Sequence, residues 1–73
     1  MKNRVSPWIA SALLSGCATM SPEECLQANW EEVGYHDAAA GYAVSRSADH
    51  REACAEAGVQ VDFELYRHGY SLG

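Results

Sequence analysis

A short apolar run that ends on a cysteine divides this chain and limits what can fold. Lys2 and Arg4 make a small basic head, Val5 to Leu14 an apolar middle, and Ser15-Gly16 a pair of small residues before Cys17. That order is the layout of a cleaved secretory leader. The run is too short to cross a bilayer, which takes about 20 residues, and Pro7 interrupts it. Removing residues 1–16 leaves residues 17–73, that is 57 of the 73 residues, to build the folded part. This is one domain near the lower size limit for a self-sufficient core, where a covalent staple or a partner is usually needed.

Leu14-Ser15-Gly16-Cys17 resembles a bacterial lipobox. The resemblance implies cleavage before Cys17, acylation of its sulfur and then of its new amino group, and attachment to a membrane through those chains. Each buried methylene contributes roughly 0.8 kcal/mol, and two or more chains hold a protein stably. Ala18, rather than an aspartate, after the lipid-bearing residue implies the outer membrane, facing the periplasm. The expected organisation is a leader over 1–16, a lipidated tether over 17–20 and a small domain over 21–73. After Cys17 only Arg46, Arg51 and Arg67 oppose ten carboxylates, a net charge of −7 with histidine neutral. Such a surface disfavours nucleic acid and anionic headgroups.

With Cys17 assigned to lipid, Cys25 and Cys54 remain. An even pair in an oxidising compartment predicts a disulfide. Two reduced buried thiols are the alternative.

The domain reads as all-α, with three helices. Ser21-Pro22-Glu23-Glu24 is a helix start, with Ser21 as cap, Pro22 in the first turn and Glu24 completing a capping box. Leu26, Trp30 and Val33 follow at i, i+4 and i+7 and predict one apolar stripe, with Leu26 and Trp30 in the core. This helix is expected to run to about Ala40, with a break at Gly34 as the alternative. Gly34, Ala38 and Gly41 would form a row of small residues along it. A second helix is expected from Ser47, as cap, to Ala57. Gly58 would be its left-handed stop, with Val59 against Cys54. A third is expected over Phe63–Leu72. A strand over Val59–Leu65 is the alternative, and it has nothing evident to pair with. The repeated Gly-Tyr steps at 34–35 and 69–70 predict a close helix crossing in which rings pack against glycines.

Several stretches together resemble a family of small bacterial lipoproteins known only as domain of unknown function 2799. They are Ser21-Pro-Glu-Glu-Cys25, Asn29-Trp30, Gly34-Tyr35-His36-Asp37, His50-Arg51-Glu52-Ala53-Cys54, Gly58-Val59 and Gly69-Tyr70. The resemblance implies an envelope address and no particular activity. It also implies chains that run on past the equivalent of Gly73 to another cysteine, so a different partner for Cys25 or Cys54 stays open.

Few residues suggest chemistry. His36-Asp37 is the most suggestive polar pair, but neighbours on a helix do not face each other. The expected reading is a surface histidine beside an aspartate bonded into the following connector. His50 and Cys54, at i and i+4, share a face. With His36 and Cys25 they would make a Cys2His2 set, a weak metal-binding alternative that lacks the close cysteine pair of zinc modules. Glu31-Glu32 and Glu52/Glu56 read as solvated faces. No catalytic residue and no cofactor is assigned. The expectation is a non-enzymatic, lipid-anchored envelope protein with a periplasmic protein partner. The alternative is metal or small-ligand binding through His36 and His50, and an envelope hydrolase is a third and weaker reading.

Overall fold

The computed structural model describes residues 18–73. The expected leader, residues 1–16, and Cys17 lie outside the described residues. Four helices follow in order: α1 Pro22–Leu26, α2 Trp30–Ala39, α3 Arg46–Ala55 and α4 Phe63–Leu72. The fold is all-α, with three ten-residue helices and one of five residues. Val59–Leu65 forms no strand. Asp62 caps α4 instead, its side chain accepting the Leu65 N–H at 3.1 Å.

The expected capping box opens α1. The Glu24 N–H donates to Ser21 Oγ at 3.1 Å, and the Ser21 N–H donates to Glu24 Oε1 at 2.8 Å. The helix then stops at Leu26, well short of Ala40. Asn29 explains the break: its side chain accepts the Glu32 N–H at 3.2 Å and starts a new helix. A short amide side chain that bonds local backbone competes with helix continuation. The chain therefore turns before Trp30, and Gly34 sits inside an unbroken α2. Leu26 and Trp30 no longer share a face: Leu26 is 67 % exposed and Trp30 only 8 %. Leu26 is thus not a core residue, contrary to the stripe expected from its spacing.

Both α2 and α3 end in the same way. Gly41 and Gly58 have φ of 86° and 75°, a conformation that favours glycine. The Val59 N–H reaches Cys54 O at 3.0 Å and the Gly58 N–H reaches Ala55 O at 3.0 Å, the paired bonds of a Schellman stop. Val59 packs beside Cys54 as expected. Tyr42 N–H to Asp37 O and Gly41 N–H to Ala38 O, both 3.0 Å, repeat the pattern on α2. Gly41 therefore ends α2 and takes no part in a packing row. Ser47, the expected cap of α3, is buried inside that helix, which starts one residue earlier.

The helices associate as two pairs. Cys25 on α1 and Cys54 on α3 are joined by a disulfide with Cα atoms 5.4 Å apart. Met20, Ala28, Val33, Ala57, Val59 and Val61 pack around these cysteines and Trp30. The bond spans 29 residues, and closing such a loop stabilises by roughly 3–4 kcal/mol in the chain-entropy picture. In the other pair, α2 and α4 meet backbone to backbone. A Cβ added at Gly34 would collide with the Tyr66 carbonyl, and one at Gly69 with the Glu31 carbonyl. The close crossing expected from the Gly-Tyr steps is present, but backbone carbonyls occupy the space over the glycines where rings were expected.

Gly69→Ala tests this contact. Alanine favours an isolated helix by up to about 1 kcal/mol, whereas overpacking a tight contact costs roughly 1–3 kcal/mol. Because the collision is with a backbone carbonyl, the expected outcome is a lower melting temperature, by about 4–8 °C for each net kcal/mol lost in a domain of this size, read by circular dichroism. An unchanged or higher value contradicts the packing.

Candidate functional site

Between the two helix pairs lies a buried polar cluster centred on Asp37. Trp30, Gly34 and Asp37 recur at i, i+4 and i+7 and are the buried residues of α2. The inward stripe is therefore aromatic, then bare backbone, then carboxylate. Asp37 is 8 % exposed, and its two main partners less so: His50 of α3 is 2 % and Tyr66 of α4 is 0 % exposed. One carboxylate oxygen, Oδ2, accepts from His50 Nε2 at 2.8 Å and from the Tyr66 hydroxyl at 2.6 Å. The other, Oδ1, lies 3.7 Å from Arg46 Nε. The Arg46 guanidinium also stacks over the Tyr42 ring, 3.8 Å from its centroid, a cation–π contact.

The imidazole passes the network on. A carboxylate only accepts, so Nε2 carries the proton in the bond to Asp37, and the second ring nitrogen, Nδ1, faces the N-terminal segment. There the Thr19 hydroxyl lies 2.7 Å away. Thr19, His50, Asp37 and Tyr66 thus form one chain from the N-terminal segment through α3 and α2 to α4. Trp30 and Tyr66 flank the imidazole, with ring centroids 6.5 and 5.9 Å from it. Burial, then the bond to Asp37, holds the Tyr66 phenol well above its ordinary pKa.

These positions revise the expected roles. Asp37 does not bond into the connector through its side chain; its carboxylate reaches α3 and α4, and only its backbone carbonyl receives the Tyr42 N–H. His36 is exposed, with its ring edge-on to Tyr35. His50 and Cys54 share a face, as their spacing predicts, but Cys54 turns to Cys25 and His50 to Asp37. The Cys2His2 set is not assembled: its sulfurs are bonded to each other, and both ring nitrogens of His50 are occupied. Among the described residues no group of three or more His, Cys, Asp or Glu is placed to hold a metal ion. Glu31 pairs with His68 at 2.7 Å on the surface, a contact of small energetic weight. Glu52 and Glu56 are exposed.

A groove of about 470 Å³ runs beside the cluster, with Thr19, Asn29, Glu32, His36 and Arg46 among its lining residues. Hydroxyl, imidazole and carboxylate in line can hold a proton at a defined atom. Here each polar atom of His50 and the shared oxygen of Asp37 are spent on tying elements together. Spacing alone did not reveal this cluster. Its one legible trace was the Trp30-Gly34-Asp37 periodicity, hidden by reading the stripe from Leu26.

A family model described as a protein of unknown function (DUF2799) matches residues 29–73. The match takes in α2, α3 and α4, with Asp37, His50 and Tyr66. It begins at Asn29, so Ser21–Cys25 lies outside it. No curated protein and no solved structure matches the chain.

Tyr66→Phe removes one donor from Asp37 while keeping the ring. Leaving a buried acceptor short of a partner costs about 1–3 kcal/mol, read as a lower denaturation midpoint at pH 7. The pH dependence has a definite sign. The unfolded phenol ionises near pH 10, while the folded one resists. Tyr66 therefore contributes stability that is fully present below about pH 10 and is lost as pH rises above it. The wild-type protein should lose stability more steeply above pH 10 than Tyr66→Phe. Parallel curves contradict this account.

Proposed function

Because the chain belongs to the DUF2799 family of proteins of unknown function, a name that assigns no activity, we propose that it is a lipid-anchored cell-envelope protein acting as a non-enzymatic structural or interaction module. Cys17 is the lipidation site, residues 1–16 are the cleaved leader, and the domain faces the periplasm from the outer membrane. The observation that carries this reading is the division of the three cysteines. Cys25 and Cys54 are joined to each other, and the third, Cys17, stands directly after a leader-like segment. A disulfide in a small domain supports an oxidising compartment. The basic residues Lys2 and Arg4 ahead of Cys17 and the acidic domain behind it agree with export.

An interaction role draws support from the surface. Leu26, Val44, Phe63, Leu65 and Leu72 are each at least 41 % exposed, a large share of the bulky apolar residues in so short a domain. The disulfide and the Asp37 cluster hold the helices that present them. The partner this reading calls for is a periplasmic protein.

Cells fed labelled palmitate test the anchor. The expected outcome is label on the wild-type protein, none on Cys17→Ser, and a mature chain that starts at residue 17. A soluble, unlabelled protein that is intact from Met1 overturns the reading.

A further inference from the structure

The residues just after Cys17 are where an anchored chain would pass from membrane to domain, and they are built into the fold. The Thr19 hydroxyl lies 2.7 Å from Nδ1 of His50, a ring only 2 % exposed. Met20 packs on the cluster of Cys25, Trp30 and Cys54, its sulfur 4.0 Å from that of Cys54. Ser21 caps α1. Three successive residues are thus held by three separate contacts, to α3, to the disulfide cluster and to α1. Only the exposed Ala18 separates Thr19 from Cys17.

We infer that residues 19–21 are a latch, not a spacer, and that the acylated protein sits flush on a bilayer with the Ala18 edge of the domain against the headgroups. The inference rests on the lipidation of Cys17 proposed above. Ala18, Pro22 and Glu24 line a shallow depression at this edge, and Glu23 beside them is exposed. Among the residues that line this depression none is a lysine or arginine. The edge therefore fits a zwitterionic surface and is repelled by an anionic one. A domain seated in this way has no reach: it engages partners that lie at the membrane surface and presents the same face to them each time.

The test uses the protein purified with its acyl chains and placed in phosphatidylcholine–phosphatidylethanolamine vesicles. A fluorescent non-natural residue at the exposed Glu56 reports domain motion by time-resolved anisotropy. The expected result is no nanosecond wobble in the wild-type domain. A nanosecond component should appear in Thr19→Val, and a larger one in a variant with about ten Gly-Ser residues inserted between Cys17 and Ala18. Equal wobble in wild type and the insertion variant overturns the inference, as does a Thr19→Val domain as still as wild type. The intact mass of the same sample separates the two levels. An acyl increment with free wobble defeats the seating alone, whereas no increment defeats the lipidation as well.

Discussion

The carboxylate of Asp37 is the point on which the two halves of this small fold meet. The α1–α3 pair has its disulfide and the α2–α4 pair has its glycine crossing. Neither device joins one pair to the other. Asp37 does, by accepting from His50 on α3 and Tyr66 on α4 at a single oxygen, with Trp30 packed alongside the cysteines. Burying a carboxylate is costly unless it is bonded and paired. Two short hydrogen bonds and the nearby Arg46 meet that condition, and removing any of them leaves a charge or a polar atom stranded.

So polar a junction makes sense at this size. Among the described residues, the buried apolar ones are Cys25, Trp30, Cys54 and Tyr66, and two of these are locked in a covalent bond. A chain this short cannot hide much apolar surface, and bulky residues such as Leu26 and Leu72 stay outside. Directional bonds and one covalent staple specify the arrangement where hydrophobic burial alone would leave several packings of similar energy. The same network extends to Thr19, so the segment nearest Cys17 is fixed by the groups that hold the helices together. Under the proposed lipid anchoring of Cys17, anchor and scaffold would form one mechanical unit.

What the sequence made legible was local. The capping box at Ser21, the left-handed stop at Gly58 and the limits of α4 all depend on a few neighbouring residues, and the structure shows each of them. The shared face of His50 and Cys54 was also readable from spacing. The break before Trp30 is not visible in the apolar spacing, which carries Asn29 as one more helical residue, although an asparagine is a strong cap. Taking Leu26 as the start of the stripe shifted it off Asp37. The pairing of Asp37 with Tyr66, 29 residues apart, is a tertiary fact with no local signature. Adjacent polar residues such as His36-Asp37 attract attention in a sequence, yet the helix sends one to solvent and the other to the core.

The most direct measurement of this account is chemical denaturation of Asp37→Ala with the disulfide intact, beside Asp49→Ala on the exposed face of α3. Truncating one member of a buried, bonded charge cluster costs about 3–5 kcal/mol, while an exposed change stays within about 0.5 kcal/mol. The account predicts a collapse of the midpoint for Asp37→Ala and little change for Asp49→Ala. Equal midpoints for the two variants would show that the helix pairs hold together without the carboxylate.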